Sequence, residues 1–257
     1  MDKSSFAGLL IAGGGILLGL LMEGGRIAQI LQPTAAMIVF GGTFGAVMLQ
    51  FPLRVVLIAF GRLGQLFFPL AVDPRVKIAE IVAYAQKARK EGIISLDSEL
   101  EKIQDPFLKK SLMLAVDGTE PQELRKMMEL ELDNQAEHEE HIPRVFEAAG
   151  GAVLGLIQVM QHLDDISEVG RGIAVAFVAT IYGVGSANLF FLPASGKIKI
   201  RIRQEQVVRE MMLEGVVSIL EGMNPRMIAT KLRGFFAEAN IEVKEEAKVE
   251  AKGEGGQ

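Results

Sequence analysis

The sequence contains no cysteine and no tryptophan, and only three histidines and two tyrosines. Without thiols there are no disulfides, no thiolate catalysis and no cysteine-ligated zinc. Lys and Arg form no dense block and the formal net charge is −5, which excludes a nucleic-acid-binding surface. A P-loop, a dinucleotide fingerprint and a nucleophile–base constellation are all missing, so neither an enzyme nor a cofactor is expected. What the chain does have is long apolar runs. Of its 257 residues 49% are hydrophobic and 23% charged, with a mean hydropathy of +0.29. That balance is too apolar for a soluble enzyme and too polar for a chain lying wholly in lipid. It fits membrane spans joined to a charged soluble portion.

Four runs carry the apolar excess, at about 6–22, 34–51, 148–163 and 172–193. A helix rising 1.5 Å per residue needs about 20 residues to cross roughly 30 Å of hydrocarbon. The second and fourth runs meet that requirement, and the first is close. The third is short, covering only about 24 Å. A second apolar run follows the first almost at once, so the first reads as a span in preference to a cleavable signal peptide. Arg54 and Arg62 follow span two, and Lys197, Lys199, Arg201 and Arg203 follow span four. The connections within each pair hold only Arg26 and Arg171. The positive-inside rule then places both termini and the long intervening segment in the cytoplasm. The expected fold is all-α and integral to the membrane: four transmembrane helices in two hairpins plus a helical cytoplasmic domain. Its boundaries are 1–52 for the first hairpin, 53–147 for the cytoplasmic domain and 148–193 for the second hairpin. Residues 194–236 form cytoplasmic C-terminal helices, and 237–257 a charged tail without an apolar face, expected to be disordered.

Small residues recur four apart in the spans, at Gly15 and Gly19, Gly41 and Gly45, Gly151 and Gly155, Ala179 and Gly183. Such spacing lets helix backbones approach closely in lipid. In the cytoplasmic portion, Ile78, Ile81, Val82, Ala85 and Ala88 give residues 75–90 one apolar face. Lys87, Arg89 and Lys90 crowd its last turn, and Gly92 stands at the capping position. A second helix is expected from Ser95–Asp97. Thr119 to Gln122 has capping-box spacing ahead of a long acid-rich helix. His138-Glu139-Glu140-His141 lacks the four-residue spacing of a metalloprotease pair, so it reads as a solvated helix face with no metal. After span four, helices are expected over 201–220 and 225–236, broken at Gly222–Pro225.

An intramembrane carboxylate is the default carrier of protons or ions. Spans one, two and four contain none, and span three has only Glu147 and Asp164 at its edges. If ions cross, the titrating acid must come from another chain. Thr43, Thr180, Tyr182, Ser186 and Asn188 could line a shared pathway, unless each bonds its own helix backbone.

The stretch GRGIAVAFVATIYGVGSANLFFLPASGKIK (170–199) resembles the fourth span of the MotA/PomA family of flagellar motor stator subunits. IVFGGTFGAVMLQFP (38–52) is similar to that family's second span, ARKEGIISLDSELE (88–101) to its charged cytoplasmic segment, and EGMNPRMIATKLRGFF (221–236) to its C-terminal helix. The resemblance implies a multi-pass protein of the bacterial inner membrane. Five copies would surround a dimer of a peptidoglycan-anchored, MotB-type membrane protein that supplies the ion-carrying aspartate. It implies contact with the flagellar rotor's switch protein through Arg89, its neighbour Lys90 and Asp97, the last standing where the family usually has Glu. Thr180 matches the pore threonine, and Pro193 the proline at the span's cytoplasmic end, a gating and coupling position. Ala152 falls where sodium-driven members tend to carry Thr, which favours protons. In span three, Ala149-Gly150-Gly151 passes directly into Ala152-Val153-Leu154, so about two helical turns and the family's gating proline are missing. Two alternatives stand beside the stator: a TolQ/ExbB-type proton-driven energiser, disfavoured by four spans, and a non-conducting membrane scaffold, suggested by the short span.

Overall fold

The computed structural model describes residues 3–68, 73–149 and 177–235. The third span with Ala152, the start of the fourth, and the tail lie outside the described residues. Every element described is helical. In chain order the principal helices are α1 (Lys3–Met22), α2 (Pro33–Gln50), α3 (Leu53–Arg62), α4 (Pro74–Glu91), α5 (Pro106–Val116) and α6 (Pro121–Ala148). They are followed by α7 (Phe177–Leu220) and α8 (225–235). The chain divides into two units, Met1–Leu70 with His138–Arg201 and Ala71–Glu137 with Ile202–Gln257.

Three helices, α1, α2 and α7, are long and apolar enough to cross a membrane, and α1, α2 and the part of α7 up to Arg201 belong to the first unit. Gln32 is extended and Pro33 opens α2, where a missing N–H costs nothing. The helix ends at Phe51, which precedes Pro52 and is held extended by the proline ring. Ala35 and Val39 of α2 pack on Val178 and Ala179 of α7, with Tyr182 against them. The Gly15, Gly19, Gly41 and Gly45 positions have open space where a Cβ would stand. Among the described residues the small-residue spacing therefore brings no two backbones together there.

The fourth span does not end its helix at Pro193. A π-turn over Ala187–Phe191 precedes the proline, with the Leu192 N–H reaching the Ala187 carbonyl. Widening the ladder accommodates a residue that cannot donate and whose ring crowds the preceding turn. The helix expected over 201–220 is accordingly the second half of α7.

In the second unit, two Asp-Pro pairs start helices. Asp73 accepts the Arg75 N–H at 2.9 Å ahead of α4. Asp105 accepts those of Phe107 and Leu108 at 3.0 and 3.1 Å ahead of α5. The helix expected over 75–90 is α4, and Gly92 closes it at φ +85° with its N–H on the Ala88 carbonyl. The capping box at Thr119 does not form among the described residues. Gly118 turns left-handed and Thr119 donates back to the Leu114 carbonyl, so Thr119 finishes α5 and Glu120 leads into α6. Ile81, Leu108, Leu124, Met211 and Leu232 meet in a closed core. Gly215 makes that meeting possible: a Cβ there would stand 2.7 Å from Ile81 Cγ2 and 3.3 Å from Leu232 Cδ1.

Candidate functional site

The charged edge foreseen in the sequence is built at the end of α4. Arg89 and Lys90 sit in its last turn, where cations complement the helix dipole. Gly92 turns the chain into a 3-10 helix, Ile93–Leu96, and the one-turn helix Asp97–Leu100 follows. The second helix foreseen in the sequence is thus a single turn. Arg89, Lys90 and Asp97 are all exposed, and none makes an ion pair with another described residue. Their neighbours are paired instead. Lys87 Nζ donates to Glu99 Oε1 at 2.7 Å and Lys102 Nζ to Glu99 Oε2 at 2.9 Å. Hydrogen bonds from these two lysines, Lys87's the stronger, hold the Glu99 carboxyl below its ordinary range. Glu99 therefore ties the turn to α4, while Arg89, Lys90 and Asp97 stay exposed beside it.

A second cluster braces the same unit. Glu214 of α7 accepts from Arg125 Nη2 of α6 at 2.7 Å and from Lys231 of α8. Burial opposes its ionisation, but the bonds from Lys231 and Arg125 outweigh that and hold the carboxyl below its usual range. Sequence reading missed this hub, because Arg125 lies 89 residues from Glu214 and Lys231 belongs to a separate helix, with no local pattern joining them.

In the first unit, the polar residues of the fourth span divide in two. The Ser186 hydroxyl donates to the Tyr182 and Gly183 carbonyls. Asn188 Nδ2 donates to the Val184 carbonyl at 3.0 Å. Both are absorbed by their own helix around the π-turn. Tyr182 reaches outward, donating to the Ile30 carbonyl and accepting the Gln32 N–H at 3.3 Å. Thr180 is half-buried on the same helix. Pro193 is exposed on a cleft of about 360 Å³ that Ser5, Phe67 and Lys197 also line, and Lys197 donates to Ser4 and Ser5.

The histidine–glutamate run contains a correction. His138, Glu140 and His141 are exposed, but Glu139 is only 7% exposed and accepts Arg62 Nη2 at 3.2 Å. It joins α6 to the end of α3, a partner that helix periodicity alone does not reveal.

A pair of long apolar helices, a helical charged unit and a long helix with a π-turn ahead of its proline together define a recognisable type. The family model described as the MotA/TolQ/ExbB proton channel family matches residues 99–211. The motility protein A N-terminal model matches residues 6–91. Motility protein A of Bacillus subtilis is 33% identical over 246 residues, covering 90% of each chain. The chain belongs to the MotA/TolQ/ExbB proton channel family. Within it, the chain is a MotA-type flagellar stator subunit, a multi-pass membrane protein and not an enzyme. PomA of Vibrio alginolyticus is 31% identical over 93% of this chain and 96% of its own. Among solved structures, C. jejuni MotAB matches with a TM-score of 0.82 and 29% identity, over 91% of this chain and 96% of that one. The flagellar MotAB stator complex from Bacillus subtilis matches with a TM-score of 0.79 and 31% identity, over 94% and 99%.

Proposed function

We propose that this MotA-type subunit assembles as a homo-oligomer, a pentamer, around a MotB-type membrane protein anchored to peptidoglycan. That partner donates the aspartate on which protons cross. One observation carries the reading: spans one, two and four hold no carboxylate at all in a member of a proton channel family. An acid is needed to relay the proton, so a companion supplies it. The solved MotAB complexes support such a division of labour. Both termini face the cytoplasm, as the cations flanking spans two and four imply. Thr180 lies on the ion pathway, Ala152 favours protons over sodium, and Pro193 with its π-turn transmits the gating motion along α7.

Torque passes to the rotor's switch protein through Arg89, Lys90 and Asp97. Their support is exposure with no ion pair to another described residue, on a turn tied to α4 by the Lys87–Glu99 pair. Charges placed so steer an encounter and set its register. With a MotB-type partner, the chain is expected to restore swimming to cells lacking stators. Arg89→Glu is expected to cut torque severely while leaving the number of assembled stators unchanged. Wild-type torque from that variant would remove the rotor-contact reading.

A further inference from the structure

Ile94 stands between the basic end of α4 and Asp97, with 73% of its surface open. No other large apolar residue described in the second unit is as exposed. The cause is the 3-10 turn on which it sits. Three residues per turn make side chains at i and i+3 eclipse one another. Ile93 and Leu96 form one such stack and face inward, with Leu96 fully buried and Ile93 packed against the core. Ile94 and Asp97 form the next stack, on the open side. Three hydrogen bonds hold that turn. Gly92 N–H bonds the Ala88 carbonyl at 2.9 Å, Ser95 Oγ donates to the Gly92 carbonyl at 2.7 Å, and Ser98 Oγ to the Ser95 carbonyl at 3.1 Å. A β-branched side chain on so constrained a turn has little rotamer freedom left to lose on binding.

Exposed ion pairs add little affinity and are screened by salt. Strong contacts combine a desolvated apolar centre with a polar rim. Ile94 supplies the centre here, while Arg89, Lys90 and Asp97 supply a rim of both signs. We propose that Ile94 is an apolar anchor that seats in a hydrophobic dimple of the rotor protein, bordered by acidic groups facing Arg89 and Lys90 and by a basic group facing Asp97. The inference rests on reading this edge as the rotor contact, and it adds the component that holds the partner once charge has steered it in.

The test uses the full chain with its MotB-type partner in swimming cells. A photoreactive phenylalanine analogue is placed at position 94, at 89, and at the exposed Lys126 of α6 as a control. Adducts with the rotor switch protein are expected from 94 and 89 and not from 126. Burying an isoleucine strengthens a contact about tenfold or more, so Ile94→Ser is expected to lose most of the torque per stator at high load. Ile94→Leu is expected to retain it. Stators per motor are counted by fluorescence, and a torque loss that only follows a lower stator count overturns the proposal. So does normal torque in Ile94→Ser with no adduct from 94; an adduct from 89 and a damaged Arg89→Glu would then leave the charged contact standing. Silence at both positions, with normal torque in both variants, removes the rotor reading along with the anchor.

Discussion

In the second unit Ile81, Leu108, Met211 and Leu232 are closed off completely by their own chain, whereas in the first Leu10, Ile11, Met37 and Leu49 are 74–92% exposed. The same residue types are thus handled in opposite ways. The second unit folds like a soluble domain, with burial of apolar side chains supplying the driving force. The first has a small described contact of Ala35, Val39, Val178 and Ala179, and none of its Ser4–Met22 window is buried. Its helices satisfy their own backbone groups, and their side chains need lipid or other subunits around them. One unit is complete within the chain, and the other is made to be surrounded.

The largest expected break in that contrast comes from trimming one leucine on each side. Leu108→Ala should destabilise the second unit by about 2–5 kcal/mol through lost burial and a residual cavity. Leu10→Ala in detergent should shift stability hardly at all, since its side chain touches little of its own chain. Thermal unfolding of the purified complex, followed by circular dichroism, checks both. A smaller loss, about 1–3 kcal/mol of overpacking, is expected for Gly215→Val, because the added carbons meet Ile81 Cγ2. Unchanged stability there would mean that α4 and α7 approach less closely than described.

The smallest effect is pH-dependent. Glu214 has a folded-state pKa below its unfolded value. Its ion pairs therefore contribute stability that is fully present above the unfolded pKa, about 4.3, and that fades as pH falls through the folded pKa. Melting curves from pH 6 down to 3 should show α8 loosening first, and Glu214→Gln should flatten that dependence. An unchanged slope in the variant would take Glu214 out of the role.

Much of this was legible in the sequence because it is local. Charge-free runs gave the first, second and fourth spans, the apolar face of 75–90 gave α4, and the lysines and arginine ahead of Gly92 located the charged edge. What escaped the sequence depends on tertiary neighbours. Glu139 looked solvated until Arg62 of α3 was placed against it. Glu214 gained meaning only from Arg125 and Lys231. Thr119 carried capping-box spacing, but the left-handed Gly118 claimed it for the preceding helix. Pro193 was visible, whereas a helix continuing through it was not, since that depends on the π-turn opening the ladder. Ile94 passed unnoticed because exposure at a 3-10 turn has no helical or strand period to reveal it.

Proton flux in liposomes tests the central claim most directly. The purified subunit alone should pass no protons under an imposed gradient. Reconstituted with its MotB-type partner it should conduct, and replacing that partner's membrane aspartate by asparagine should abolish the current. Flux through the subunit on its own, or flux that survives the aspartate replacement, would contradict the account.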